Sequence, residues 1–232
     1  MTMPRSQTRV PTYALEAAWA ARLVAQLARG CRKTQHALER LAKLWSPPEP
    51  HSCFRPSRHL HQVIPSERDI EVVARYTREE RLQVRLAALR ALGWASQHET
   101  ARRVLLEALD DEARSLRRIA LYGILRIGTE PVVVAALRRM LVDPVYVHRW
   151  QAAQALAGTP YRNEARAALL AAPPRGIRYM TTWLEACAVF GRETLEKALP
   201  FSERALAEAR PSEPLDTWEH ARLVEALRGR MS

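Results

Sequence analysis

The sequence predicts an all-α protein: a right-handed α-solenoid of helical repeats preceded by an N-terminal helical segment. Three observations carry this. Alanine and leucine dominate a chain of 232 residues with only 6% aromatics and 8 glycines, a mix that favours helix over strand. Apolar residues recur at three- and four-residue intervals through most of the length, the period of a helix face. Three segments also repeat at a constant offset: VRLAALRAL at 84–92, LRRIALYGI at 116–124 and HRWQAAQAL at 148–156. A fixed period in the low thirties with two helices per unit marks a stacked helical array.

Residues 1–11 hold Pro4 and Pro11 among basic and polar residues and read as a flexible basic arm. Residues 12–45 read as a basic amphipathic helix or helix pair. Leu15, Trp19, Leu23 and Leu27 recur every fourth position, and Leu38, Leu41 and Trp45 continue the stripe. Gly30 is placed to break it and Thr34 to cap a second helix. Residues 46–65 contain Pro47, Pro48, Pro50, Pro56 and Pro65, a density no helix survives, and read as a linker. The repeat array is expected over 66–209, degenerating after Pro173 and Pro174. Residues 210–232 read as a C-terminal capping helix built on Trp218, Ala221, Leu223, Val224 and Leu227.

Within the array the register is detailed. Ala88, Ala120 and Ala152 coincide, as do Ala91, Gly123 and Ala155, then Leu92, Ile124 and Leu156. Small residues three apart let a neighbouring helix approach closely, and the large apolar residues fill the groove beside them. Glu79, Asp111 and Asp143 are each followed six positions later by Arg85, Arg117 and Arg149. An acid at the inter-helix turn and an arginine in the next helix are placed to pair across successive repeats as a ladder.

These features resemble HEAT repeats, specifically the short bacterial type often called phycocyanobilin-lyase-like. The resemblance rests on VRLAALRALG, LRRIALYGILRIG and the acid–x5–Arg spacing, and covers residues 66–172. It implies a curved array whose inner surface is lined by the second helix of each repeat, and a role in binding other proteins. The lyase name carries no activity with it, because the repeat is shared widely.

The net charge is +11, from 36 basic and 25 acidic side chains, so a polyanionic partner is considered: an acidic protein, a nucleic acid or a membrane surface. The excess is mostly N-terminal. Residues 1–65 hold ten Lys/Arg against three acids, whereas residues 66–232 hold 26 against 22. Three cysteines without a CxxC pair argue against a disulfide framework and point to a reducing compartment. The stretch Ala14–Ala28 is interrupted by Glu16 and Arg22, so it does not read as a signal peptide, and nothing approaches a membrane span. A cytoplasmic location is expected, with no membrane partner. No oligomeric state follows.

The leading functional expectation is a non-enzymatic scaffold or adaptor that holds an acidic protein or peptide. Its candidate contacts are the arginine-rich helix faces: Arg102 with Arg103, Arg138 with Arg139, and Arg166, near Arg162. The same arginines also suit a plain role, covering apolar inter-helix surface with their aliphatic stems. The competing expectation is nucleic-acid binding through Arg22, Arg29, Arg32, Lys33, Arg40 and Lys43, assisted by Arg5 and Arg9. Only backbone contact would follow, since no base-reading motif is present.

Other constellations are weaker. His51, Cys53, His59 and His61 are potential zinc ligands, but H-x-C-x5-H-x-H matches no common structural zinc site, so neither metal nor cofactor is expected. Trp150 and Trp183, near Arg149 and Asp143, invite comparison with HEAT-like alkylpurine DNA glycosylases. Neither tryptophan is followed one turn later by an aspartate. Cys187 sits among apolar residues and reads as a core thiol. No nucleophile–base motif is present, and no enzyme is expected.

Overall fold

The computed structural model describes residues 12–30, 33–46, 63–174, 177–208 and 214–231. Among them there are twelve α-helices and two short 3₁₀ turns, with no strand. The chain divides between Ile127 and Gly128 into two compact units.

Unit one holds α1 (Thr12–Ala28), α2 (Thr34–Trp45), α3 (Glu67–Arg75), α4 (Leu82–Trp94), α5 (Glu99–Ala108) and α6 (Arg114–Ile124). The helices form two layers. One is α1, α3 and α5, each packed on the next; the other is α2, α4 and α6. Sequential pairs join the layers, α1 on α2, α3 on α4 and α5 on α6. The N-terminal pair therefore packs as the first hairpin of this stack.

Local chemistry sets the breaks. Gly30 has φ +71° just past α1, a left-handed conformation that a side chain would strain. Thr34, expected as a cap, is instead the first helical residue, and Lys33 holds the N-cap position without a side-chain bond. Ser66 and Asp69 form a reciprocal capping box that starts α3. The Tyr76 hydroxyl donates to the Leu27 carbonyl and ties the first and second hairpins together.

The repeat register is the core. Ala88, Ala91, Leu92, Ala120 and Ile124 are all fully buried. The helices α4 and α6 meet at Gly93 and Gly123, where a Cβ on Gly123 would lie 3.1 Å from the Gly93 Cα. Trp19 departs from the expected apolar stripe. It is 37% exposed, and the Arg40 guanidinium covers its ring at 4.7 Å. A stacked arginine lets a tryptophan remain at the surface.

Unit two holds α7 (Pro131–Met140), α8 (Tyr146–Leu156), α9 (Arg162–Leu170), α10 (Met180–Ala188), α11 (Arg192–Ala207) and α12 (Pro214–Met231). Pro131 opens α7 at the first turn, where its missing N–H costs nothing. Sequential hairpins pack α7 on α8, α8 on α9 and α10 on α11, and α12 closes against α10 and α11. Ala152, Ala153, Leu156, Trp183 and Leu184 are fully buried in its core.

The acid–arginine ladder takes physical form at Asp111. Its carboxylate accepts from Arg85 of the preceding hairpin and, through Oδ1, from the Ala113 N–H at 2.9 Å. Arg117 donates to the Asp111 and Glu112 carbonyls at 2.8 and 3.0 Å, bracing the same turn. In unit two Asp143 repeats the turn bond, accepting from the Val145 N–H at 2.7 Å. The register then ends: the position that should follow Asp111 and Asp143 at the same spacing is Arg175, not an acid. The buried Nε of Arg149 accordingly has no hydrogen-bond partner among the described residues.

Candidate functional site

The arginines singled out in the array are occupied by their neighbours. On α5, Arg102 pairs with Glu99, and Arg103 with Glu107 at 2.8 Å. On α7, Arg138 binds Glu164 of α9 at 3.0 Å and lies 4.1 Å over the Tyr161 ring. Arg166 on α9 binds Glu193 of α11 at 3.2 Å, and Arg162 lies 5.1 Å over Phe190. Lys197, with Arg166, holds the Glu193 carboxyl below its ordinary value. Arg139 is exposed on α7. Exposed pairs of this kind contribute little to stability, but they neutralise the charge a ligand would use.

The N-terminal basic residues do not share one environment. Arg22, Arg29 and Lys33 are exposed, Arg40 lies against Trp19, and Lys43 faces a cleft. Arg32, the arm with Arg5 and Arg9, and the cluster of His51, Cys53, His59 and His61 lie outside the described residues. Among the described residues no group of three or more His, Cys, Asp or Glu is placed to hold a metal ion.

The cleft lies on the α2–α4–α6 layer of unit one and encloses about 570 Å³. Helix α2 contributes Glu39, Ala42 and Lys43, followed by Ser46. Helix α4 contributes Leu89, Arg90, Gly93 and Trp94. Ile119 and Tyr122 come from α6, and Arg126 from just beyond its end. Leu89 and Ala42 are buried and form an apolar floor, and Gly93 lies on the same wall beside Arg126.

Three cations rim this floor: Lys43, Arg90 and Arg126. None has an ion-pair partner among the described residues. Arg126 is held in place nonetheless. Its guanidinium sits 3.9 Å over the Trp94 ring, and its Nη1 donates to the Tyr122 carbonyl at 2.7 Å. Partial burial pulls its pKa below the ordinary arginine value, yet the group stays charged. Glu39 is the one carboxylate at the rim among the described residues, and it accepts from Gln35 Nε2 at 2.9 Å.

A family model for HEAT repeats matches residues 70–172. Residues 70–172 belong to the HEAT-repeat family. No curated protein matches the chain significantly. The HEAT segment includes α4, α6 and Arg126, while α2 with Lys43 lies before it. Seven of the eleven described lining residues therefore lie in the HEAT segment, and α2 with Ser46 supplies the other four.

The tryptophans compared with glycosylase residues are core residues here. Trp150 and Trp183 are both 0% exposed, with indole N–H groups donating to the Ala172 and Leu169 carbonyls at 3.0 Å each. Neither indole face is open to a base. Cys187 is buried as well, and desolvation pushes its thiol up to about 12, far from nucleophilic readiness.

The sequence reading reached Lys43 but not Arg90, Trp94, Tyr122 or Arg126. A signal for them was present. Arg90 and Tyr122 stand one repeat period apart, and so do Trp94 and Arg126. The register that aligned the core also aligned these surface positions.

Proposed function

We propose that this HEAT-repeat chain is a non-enzymatic scaffold that docks an acidic protein partner on the α2–α4–α6 face of unit one. The observation that carries the reading is the contrast in charge pairing. Arg102, Arg103, Arg138 and Arg166 spend their charge on Glu99, Glu107, Glu164 and Glu193. Lys43, Arg90 and Arg126 surround an apolar-floored cleft without such partners among the described residues. Unpaired cations around apolar surface suit a partner that brings carboxylates and apolar side chains together. HEAT repeats suit the role because a stack of hairpins presents a continuous helix layer. Among the described residues no helix is long and apolar enough to cross a membrane.

Nucleic-acid binding through the N-terminal helices is the competing reading, and the division of Arg40 from Lys43 weighs against it. In-cell cross-linking separates the two. The Lys43→Glu/Arg90→Glu variant is expected to lose the protein partners that the wild type captures, while Arg103→Gln keeps them. An unchanged partner set in the double variant, or cross-links dominated by nucleic acid, overturns the proposal.

A further inference from the structure

We infer that the cleft takes a peptide segment in which an acidic residue adjoins a bulky apolar one, with the carboxylate on Arg126 and the apolar side chain on the Leu89–Ala42 floor. This deepens the docking reading above and rests on it.

The geometry around Arg126 leaves it able to receive an anion while it braces the repeats. A guanidinium has five N–H donors in a planar fork. One nitrogen serves the Tyr122 carbonyl, and no carboxylate among the described residues takes the rest. The Trp94 ring beneath it fixes the group without consuming donors, because a ring offers no acceptor atom in the guanidinium plane. The remaining donors match a carboxylate. Gly93 lies beside the group: a Cβ there would stand 3.9 Å from Arg126 Nη1, an ordinary contact.

The floor selects a side chain over a bare anion. Leu89 is 1% exposed and lines the cleft beside Ala42 and Ile119. An opening of about 570 Å³ falls within the roughly 300–1,000 Å³ of pockets that enclose a defined group. A phosphodiester backbone brings charge but nothing aliphatic to cover that floor. The Glu39 carboxylate at the rim also opposes a continuous run of phosphates more than a single spaced carboxylate. The chain's own 47–62 stretch holds two arginines and one glutamate, the wrong charge for this cleft.

The test is a selection of random dodecapeptides displayed on phage against the full-length protein, followed by fluorescence anisotropy of the enriched peptide. Enrichment of Asp or Glu beside Leu, Phe, Tyr or Trp is expected. The enriched peptide should bind Arg126→Gln at least about tenfold more weakly and Arg126→Lys with intermediate affinity. Arg103→Gln should match the wild type. Helix content by circular dichroism shows that each variant is folded. Enrichment of peptides without acids, equal binding to Arg126→Gln, or no enrichment overturns the inference. So does displacement of the peptide by an equimolar thymidine dodecamer, which would indicate a nucleic-acid site, or by phenylpropionate alone, which would indicate a small-molecule site. If selection fails while Lys43→Glu/Arg90→Glu still loses its cross-linked partners, the docking face stands and only the anchor chemistry falls.

Discussion

The Arg126 guanidinium lies 3.9 Å over the indole of Trp94, and the two residues occupy the same register position in successive hairpins. The stack therefore links adjacent repeats at the surface, as the Arg85–Asp111 pair does at their turns. Such contacts are worth about 0.5–1 kcal/mol when exposed. The consequence for Arg126 is orientational, since a stacked fork loses less freedom when it meets an anion. Trp94→Leu should lower unfolding free energy by about 1 kcal/mol and weaken acidic-peptide binding several-fold. Trp94→Phe should keep most of both. Urea denaturation and anisotropy check this pair of variants.

Gly93 and Gly123 face each other where α4 crosses α6, but they do not tolerate the same change. A Cβ on Gly123 would lie 2.9 and 3.0 Å from the two Leu105 methyls and 3.1 Å from the Gly93 Cα. Backbone cannot swing aside as a side chain can, so Gly123→Ala should cost about 1–3 kcal/mol. A Cβ on Gly93 meets its nearest atom at 3.4 Å, an ordinary contact. Gly93→Ala should be near neutral, with alanine's helix preference of up to about 1 kcal/mol offsetting any crowding. Thermal unfolding of the two variants side by side checks the asymmetry; equal losses would contradict it.

Asp111 serves two partners, Arg85 of the preceding hairpin and the Ala113 N–H that starts α6. Asp111→Ala removes both and leaves a half-buried guanidinium without its carboxylate. A loss of about 1–3 kcal/mol is expected, the range for stranding a buried polar group. Asp111→Asn keeps an oxygen for Ala113 and should lose less. Denaturant midpoints for the two variants measure the split between turn bond and cross-repeat pair.

The core was legible because it obeys a period. Ala88, Ala120 and Ala152 align at one constant spacing, and all are fully buried. Pairing on one helix was legible too: Glu99 and Glu107 stand three and four positions from Arg102 and Arg103. The pairs Arg138–Glu164 and Arg166–Glu193 bridge hairpins, with more than twenty positions between their members, and need the stacking geometry to be seen. The cleft was hidden for a different reason. It requires α2 beside α4, and α2 shares no aligned motif with the array, with a proline-rich stretch intervening. Only the packing of the two helices brings Lys43 to Arg90.

His220 gives unit two a pH dependence. Its ring on α12 is fully buried, with Nδ1 3.3 Å from the Thr181 hydroxyl of α10. Desolvation lowers its pKa below the ordinary 6.5, and a backbone hydrogen bond at Ser202 opposes this only in part. The folded state thus resists the proton that the unfolded chain accepts. With more protons bound in the unfolded state, stability rises with pH in this window. The contribution is complete above about pH 6.5 and is lost as pH falls through that value towards the lower folded pKa. One proton sets an upper slope of about 1.4 kcal/mol per pH unit. The wild type should lose denaturant stability between about pH 7 and pH 5, and His220→Asn should show a shallower slope, the other histidines contributing equally to both proteins. Because α12 closes on α10 and α11, amide exchange in those three helices should quicken first. Parallel slopes for the two proteins would show that His220 takes up its proton equally in the folded and unfolded states.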